Sequence, residues 1–235
     1  MHYYLHAESD RIIFRFSQYL RMRGVKRLNI ICLDLEGVLI PEIWINAAEK
    51  AGIEELKATT RDIPDYDELM RFRLDLVERH DLRIHDIQEV IDTLTPLEGA
   101  QEFMTQLRKD YQVVILSDTF AQFAKPMMRQ LDWPTIFCHE LIIDDAGRII
   151  DYKLRQQDQK RKAVQAFHSL NLNVVAAGDS YNDTTMLSEA NGGILFCPPQ
   201  NVIEEFPQYP VTTTYEELRS EIDAAINRIE ATERD

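Results

Sequence analysis

The first residues that could do chemistry are two carboxylates separated by a single residue. The apolar segment 30–33 leads into Asp34, Leu35 and Glu36, and Gly37 follows. Because side chains alternate faces along a strand, Asp34 and Glu36 point the same way. Two like charges at that separation are unfavourable unless a cation or a phosphoryl group lies between them. The pair therefore predicts such a partner, although Asp-x-Glu alone also fits a solvated strand end.

Later segments repeat this pattern of an apolar run followed by polar groups. In doubly wound sheets, ligands bind beyond the carboxyl ends of the strands. Carboxylates there can hold magnesium, whereas hydroxyl groups, backbone N–H groups and lysine can hold phosphate oxygens. The residues concerned are Ser117 and Asp118 after the run 113–116, Lys160 at a helix start, and Asp179, Asn182 and Asp183 after the run 174–177.

Each of these segments also has a simpler interpretation. Ser117 could be a helix N-cap, and Lys160 lies in a basic run that is typical of a solvated face. The acidic cluster from Asp179 fails the calcium-loop pattern, because Asp183 is not followed by Gly. The histidines show no ligand spacing, so we expect His139 to be a packing or surface residue. The order of the groups, each at a strand end or a helix start, favours phosphate chemistry.

The composition limits the partners and the compartment. Of 235 residues, 26 are basic and 40 acidic, and the net charge of -14 argues against nucleic acid or an anionic membrane as a partner. A small anion stays compatible, because basic groups can cluster locally. The three cysteines, Cys32, Cys138 and Cys197, lack metal-site spacing and fit a reducing cytoplasm, where we expect the protein. All apolar runs are strand-sized, so no membrane span is predicted.

Strand-sized apolar runs alternate with helical patterns along most of the chain. This alternation predicts an α/β fold with a parallel sheet, and a helical block separates the first two strands. The predicted strands are 28–34, 111–117, 135–138, 173–178 and 193–196, with a hairpin over 139–153. The predicted helices are 9–23, 42–51, 65–79, 84–94, 98–109, 120–131, 159–170, 182–189 and 214–230.

Three motifs carry a resemblance to a known family. The segments 58–67, 115–120 and 178–187 resemble the haloacid dehalogenase-like phosphatase superfamily. Within it they are similar to bacterial bifunctional phosphoserine phosphatase/phosphoserine:homoserine phosphotransferases. The resemblance covers residues 29 to about 230. It implies a Rossmann-like parallel sheet core of the haloacid dehalogenase type, with a small helical cap inserted after the first strand. The implied divisions are an extension over 1–28, a core over 29–41 and 96–235, and a cap over 42–95.

The resemblance also implies a catalytic and metal-binding set. Asp34 is implied to be the nucleophile that takes the phosphoryl group as an aspartyl phosphate. Glu36 is implied to be the general acid and base, and its main-chain carbonyl to meet the metal. Asp34, Asp179 and Asp183 complete the implied Mg²⁺ site, and Lys160 neutralises charge near the nucleophile.

A second implied set binds the substrate. Ser117, the N–H of Asp118 and Asn182 are implied to lie at the phosphate. Glu42 matches the carboxylate that meets the substrate amine. Arg73 matches the arginine that meets the substrate carboxylate, although Arg71, two residues earlier, leaves that alignment open.

The sequence departs from most of the superfamily at Glu36, where Asp is usual. Glu remains a carboxylate that can donate and accept a proton, but it is one methylene longer. The resemblance implies hydrolysis of O-phospho-L-serine and transfer of the phosphoryl group to homoserine. The alternatives are a phosphatase for another small phosphate ester and a non-catalytic sensor of a phosphorylated ligand. The sequence leaves the oligomeric state open, a homodimer included.

Overall fold

The centre of the fold is the buried strand β1 (Asn29–Leu33). It pairs in parallel with β2 (Gln112–Phe120) on one side and with β5 (Asn173–Gly178) on the other. The computed structural model describes residues 27–59, 62–63 and 65–234. Because three strand ends lie side by side here, the polar residues that follow them are brought together.

Within the described residues the sheet has seven strands. The remaining strands are β3 (Thr135–Ile143), β4 (Ile149–Lys153), β6 (Gly192–Phe196) and β7 (Val211–Thr212). Their order across the sheet is β4-β3-β2-β1-β5-β6-β7. Only the β3–β4 pair is antiparallel, and it forms the predicted hairpin at one edge. An antiparallel edge on an otherwise parallel sheet is common in α/β proteins, and the α/β prediction is confirmed.

The helices cover both faces of this sheet and form the segment between β1 and β2. None of the described helices is both long and apolar enough to cross a membrane. The short turns Glu54–Lys57 and Tyr181–Asp183 are 3₁₀ helices. The α-helices are α1 (Ile43–Ala51), α2 (Tyr66–Arg79), α3 (Ile84–Thr93), α4 (Ala100–Asp110), α5 (Ala121–Gln130), α6 (Gln159–Ser169), α7 (Thr184–Glu189), α8 (Gln200–Glu205) and α9 (Tyr215–Arg234).

Local signals explain where the helices between β1 and β2 begin and end. Gly52 stops α1 with a left-handed backbone (φ 70°), and its N–H donates to the carbonyl of Ala48. The carboxylate of Asp65 caps α2 by accepting from the N–H of Glu68 at 2.9 Å. These two helices confirm the predicted segments to within a residue. The division of the chain into core and cap stays a prediction.

Some predictions of secondary structure were wrong in extent. Strand β2 does not end at residue 117 but continues to Phe120, and the predicted strand 135–138 runs without a break into the first strand of the predicted hairpin. The short helix α8 and strand β7 carry too few residues to show a periodic pattern and were not predicted. The predicted helix 9–23 lies outside the described residues, as does nearly all of the predicted extension.

Two apolar clusters cover the faces of the sheet. Ile31 and Leu33 belong to the larger cluster, which takes in α1 to α5 and α9, whereas Cys32 faces the smaller one beneath α6 and α7. The alternation follows from the period of two along a strand. Phe123 joins α5 to α1 through an edge-on contact with Trp44 at 5.5 Å between ring centroids. The helical segment is thereby packed over the strand ends.

Candidate active site

A cavity of about 380 Å³ lies at the carboxyl ends of β1, β2 and β5. Ligands of doubly wound sheets bind at this position. Every site residue named from the sequence lines the cavity except Asp183, which lies fully buried behind it. The lining set is Asp34, Glu36, Glu42, Arg73, Ser117, Asp118, Lys160, Asp179 and Asn182.

The ammonium of Lys160 lies at the centre of the polar cluster. Its Nζ is 2.7 Å from Oδ1 of Asp183, 2.9 Å from Oδ1 of Asp34 and 3.5 Å from Oδ2 of Asp118. Lys160 is only 2% exposed, so these carboxylates replace the water that a buried ammonium loses. Burial alone would lower the pKa of Lys160, but the carboxylates of Asp183, Asp34 and Asp118 raise it well above its usual value.

The interpretation of Lys160 as part of a solvated basic face is therefore wrong. The neighbouring Arg161 and Lys162 are exposed, whereas Lys160 lies on the inward side of the first turn of α6. The physical reason is the 3.6-residue helical period, which sends adjacent side chains in different directions.

Three carboxylates form a group that fits a divalent cation. Oxygen atoms of Asp34, Asp179 and Asp183 all lie within 4.8 Å of one another. Burial and the charge of Asp183 raise the pKa of Asp34 well above its usual range. Burial and Asp183 raise the pKa of Asp179 to about 7. One lysine cannot neutralise this group, and oxygen ligands are those that Mg²⁺ prefers. The donor set present in the chain thus fits such an ion.

Two glycines allow these carboxylates to approach the backbone. A Cβ at Gly37, whose φ is 78°, would lie 2.7 Å from the carboxylate of Asp179, and a Cβ at Gly178 would lie 2.3 Å from Cγ of Asp183. Asp183 uses its Oδ2 to accept from the N–H groups of Asp179 at 3.0 Å and Ser180 at 3.2 Å. Its buried side chain therefore shapes the turn that presents Asp179.

Glu36 and Glu42 form a carboxyl pair at the start of α1. Oε2 of Glu36 accepts from the N–H of Ile43 at 2.9 Å, where the helix N-terminus favours negative charge. Burial and the neighbouring Glu36 raise the pKa of Glu42 to about 7. Both carboxyl groups line the cavity beside the helical segment.

Arg73 supplies a cationic group to the lining of the same cavity. Its guanidinium lies 5.0 Å above the ring of Trp44, and its Nη2 donates to the carbonyl of Ala58 at 2.8 Å. Its Nε is buried and makes no hydrogen bond within the described part of the chain. An unsatisfied buried donor costs about 1–3 kcal/mol. A ligand carboxylate in the cavity would satisfy it.

Arg71, the alternative arginine, lies outside the cavity. Its side chain is exposed and pairs with Asp151 on β4 at 2.8 Å. A separation of two residues along a helix turns the side chain by about 200°, given 3.6 residues per turn. The two arginines on α2 consequently face different surroundings.

Ser117 and Asp118 lie within β2 rather than after it. The N-cap interpretation of Ser117 was wrong, because β2 continues past an irregular register with β3 and α5 begins only at Ala121. Ser117 is 2% exposed, and its Oγ accepts from the N–H of Thr119 at 3.2 Å. The polar residues 117–119 lie at this irregular stretch of the strand and line the cavity.

Sequence reasoning missed three residues that shape this wall. The hydroxyl of Tyr66 donates to the carbonyl of Asp118 at 3.0 Å, and Nε2 of Gln159 donates to that residue's Oδ1 at 3.2 Å. His139, which we expected to be a packing or surface residue, is buried with Nε2 3.5 Å from the same Oδ1. Gln159 precedes Lys160 and so carried a local signal, whereas no pattern in the sequence points to His139.

Comparison with known proteins agrees with this geometry. A family model described as haloacid dehalogenase-like hydrolase matches residues 28–191. The chain belongs to this family of hydrolases.

Two curated relatives are similar over most of the chain. "Phosphoserine phosphatase ThrH" of Pseudomonas aeruginosa is 63% identical over 201 residues, which is 86% of this chain and 98% of the relative. A phosphoserine phosphatase of Pseudomonas syringae pv. tomato is 61% identical over 205 residues, 87% of this chain and 86% of the relative.

Solved structures support the assignment of the fold. A structure described as a phospho-aspartyl intermediate analogue of phosphoserine phosphatase superposes with a TM-score of 0.70 at 24% identity, over 83% of this chain and 99% of that chain. A substrate-bound phosphoserine phosphatase complex superposes with a TM-score of 0.66 at 25% identity, over 77% and 91%. The haloacid dehalogenase fold predicted from the sequence is confirmed.

We expect magnesium to stabilise the protein through the acidic cluster. An ion at a hundred times its Kd that binds only the folded state adds about 2.7 kcal/mol. In a chain of this size that shifts Tm by about 5–10 °C. Asp179→Asn should remove most of the shift, and the surface control Asp151→Asn should keep it. Thermal melts with and without Mg²⁺ measure this, and an undiminished shift in Asp179→Asn would contradict the site.

Proposed function

We propose that the chain is a magnesium-dependent phosphatase that hydrolyses O-phospho-L-serine through an aspartyl phosphate on Asp34. The observation that carries the proposal is that one cavity holds both groups suited to phosphoryl transfer and a cation suited to a carboxylate. Asp34 and Lys160 lie 2.9 Å apart in this cavity, and its lining includes Arg73, whose buried Nε makes no hydrogen bond among the described residues. The two Pseudomonas relatives, both described as phosphoserine phosphatases, support the same substrate.

At the phosphate end, Asp34 attacks the phosphorus and the bond to the serine oxygen breaks. The hydroxyl of Ser117 and the N–H of Asp118 hold phosphoryl oxygens as charge develops, and Lys160 neutralises charge near Asp34. Asp34, Asp179, Asp183 and the carbonyl of Glu36 would hold magnesium. When bound, the ion supplies positive charge that the lysine alone does not provide.

Glu36 handles the protons of both steps. In the first step its carboxylic acid donates a proton to the departing serine oxygen. In the second step its carboxylate takes a proton from the water that attacks the aspartyl phosphate, which restores Asp34 and releases phosphate. One carboxyl group serves in both directions because the proton gained in the second step is the one given in the next turnover.

At the amino-acid end, the charges complement a zwitterion. Arg73 binds the substrate carboxylate with its free Nε, and Glu42 binds the ammonium. Burial and the neighbouring Glu36 raise the pKa of Glu42, which supports the binding of a cation beside this carboxylate pair. These contacts are made to the amino-acid groups of the substrate and not to the phosphoryl group, so they select the substrate and do not take part in the chemistry.

We also propose homoserine as a second acceptor for the aspartyl phosphate. Homoserine carries the same ammonium and carboxylate as serine, so Arg73 and Glu42 suit both. Its hydroxyl is one methylene farther along, and the longer carboxylate of Glu36 is suited to reach it. The rival proposals are another small phosphate ester as substrate and a sensor that binds a phosphorylated ligand without turnover.

Asp34→Asn should retain the fold and lose turnover. An amide oxygen is a poor nucleophile and a weak ligand for magnesium, so we expect a loss of more than about a thousandfold, or about 4 kcal/mol in the barrier. Phosphate release from phosphoserine measures turnover, and circular dichroism checks the fold. A variant within about tenfold of the parent would remove Asp34 from the role of nucleophile. Turnover in the parent would exclude the sensor.

Arg73→Ala should lower kcat/KM for phosphoserine far more than for an aryl phosphate, because only phosphoserine has a carboxylate that Arg73 can bind. Removing one partner of a buried charge pair costs about 2–5 kcal/mol, or about 30-fold or more in kcat/KM. The matched control is Arg71→Ala, which removes an arginine from the same helix outside the cavity. Equal losses for both substrates in Arg73→Ala, or a selective loss in Arg71→Ala, would overturn the assignment.

Homoserine should divert the aspartyl phosphate from water, and Glu36→Asp should shift the balance towards hydrolysis. The shorter side chain withdraws the base and leaves room for a water molecule, while Glu36→Gln should slow both routes by about 10²–10⁴-fold. Phosphorus NMR gives the ratio of phosphohomoserine to inorganic phosphate at fixed homoserine. An unchanged ratio in Glu36→Asp contradicts the role of Glu36 in acceptor choice. Absence of phosphohomoserine from the parent contradicts the transfer itself.

A further inference from the structure

The carboxylate of Asp118 is surrounded by donors from three elements of the fold. Its Oδ2 lies 3.5 Å from Nζ of Lys160 and accepts from Nδ2 of Asn182 at 3.1 Å. Its Oδ1 accepts from Nε2 of Gln159 at 3.2 Å and faces Nε2 of His139 at 3.5 Å. The role derived above uses only its main-chain N–H, so this side chain has no assigned purpose.

His139 is held in one orientation and one tautomer. It is 3% exposed, and its Nδ1 accepts a hydrogen bond from the backbone N–H of Arg155 at 3.1 Å. Because Nδ1 is the acceptor there, a neutral ring carries its proton on Nε2. That proton faces Asp118. The histidine therefore donates to the Asp118 carboxylate from a fixed position and holds that carboxylate in one orientation.

Asp118 is charged although its position is unfavourable for a phosphatase. Burial alone would raise its pKa, but Lys160 and the hydrogen bonds from His139, Asn182 and Gln159 hold that pKa below its usual range. An anionic side chain on the wall of a phosphate site repels a phosphate dianion. The carboxylate thus weakens binding of the substrate's phosphate. Its presence is explained if it improves another property of the site.

The property that Asp118 improves is the position of the Lys160 ammonium. An ammonium has three N–H groups, and Asp34, Asp183 and Asp118 are the three carboxylates within 4.0 Å of it in the described part of the chain. Asp118 is the one of these whose carboxylate accepts a hydrogen bond from the side chain of Asn182, among the described residues. From its position in β2, Asp118 links Lys160 on α6 to Asn182, which follows β5.

We propose that Asp118 is a positioning residue, oriented by His139, that fixes Lys160 and Asn182 for phosphoryl transfer at the expense of phosphate affinity. The inference rests on the proposed phosphatase function. It assigns a purpose to a side chain on the phosphate wall and to a histidine that contacts no substrate.

The proposal predicts opposite effects on rate and on phosphate binding. Asp118→Asn keeps the shape but removes the charge, so kcat should fall by about tenfold or more, since misplaced groups can cost about a hundredfold. The inhibition constant of inorganic phosphate should fall or stay the same, because the repulsion is gone. A side chain with only a structural purpose would instead weaken phosphate binding along with the rate. The control is Asp151→Asn, which removes a carboxylate outside the cavity and should leave both values unchanged.

The part played by His139 can be tested by chemical rescue. A cavity of about 570 Å³, lined by His139 and Asp118, borders the site and gives small molecules access. His139→Gly should lower kcat by about tenfold or more, because the carboxylate it orients is released. Unlike Asp118→Asn it should not tighten phosphate binding. Added imidazole should restore most of the lost rate. His168→Gly, which removes a half-buried histidine bonded to main-chain groups elsewhere, should show no such rescue.

The outcomes separate failure of the inference from failure of the proposed function. Rates are measured with phosphoserine and an aryl phosphate, and inorganic phosphate binding is measured by calorimetry. A parent that turns over neither ester, alone or with homoserine, contradicts the proposed function. An active parent whose Asp118→Asn variant keeps kcat within threefold, or loses phosphate binding together with kcat, overturns the inference. A folded His139→Gly variant that imidazole does not restore overturns the assignment of His139.

Discussion

The buried ammonium of Lys160 is the interaction on which the rest of the site depends. A lysine that is 2% exposed is tolerated only where several carboxylates replace its hydration. Asp34, Asp118 and Asp183 do so: Asp34 follows β1, Asp118 lies near the end of β2, and Asp183 lies in the 3₁₀ helix after β5. These strands must therefore be adjacent and in register. The central order β2-β1-β5 meets this requirement.

The same cluster carries more negative charge than one lysine can balance. Asp34 and Asp179 both have raised pKa values because they are buried beside other carboxylates. The whole protein is also acidic, with a net charge of -14, so a phosphorylated substrate needs positive charge within the site itself. A divalent cation would satisfy the carboxylates, and the substrate's phosphate would then meet positive charge from the ion and from Lys160.

The helical segment over the strand ends supplies the other half of the cavity. Arg73 on α2 is held against Trp44 on α1 by stacking and by burial, and Tyr66 ties the start of α2 to the carbonyl of Asp118. The groups proposed to select the amino acid thus belong to a different part of the chain from those proposed to move the phosphoryl group. The two sets meet at the start of α1, where Glu42 lies beside Glu36.

Much of the fold followed from local patterns in the sequence. Apolar runs of strand length and the bounds of the helices near Gly52 and Asp65 depend on the residue and its immediate neighbours, and the structure has these segments as predicted to within a residue or two. The strand-end carboxylates were also visible, because parallel strands bring their carboxyl ends to one edge. The extent of β2 was not predictable, since its irregular pairing with β3 depends on a distant strand.

The sequence by itself determined the fold class and the order of the chemical groups, whereas only the tertiary structure decided which neighbours each side chain has. It placed Arg73 in the cavity and Arg71 outside it, buried Lys160 beside two exposed basic residues, and set Asp183 behind the cavity wall. It also brought His139 to Asp118 across 21 positions of the chain, a contact that no periodicity encodes. The physical reason is that burial and hydrogen bonding depend on packing between distant segments, and a local pattern of residue types carries no information on that packing.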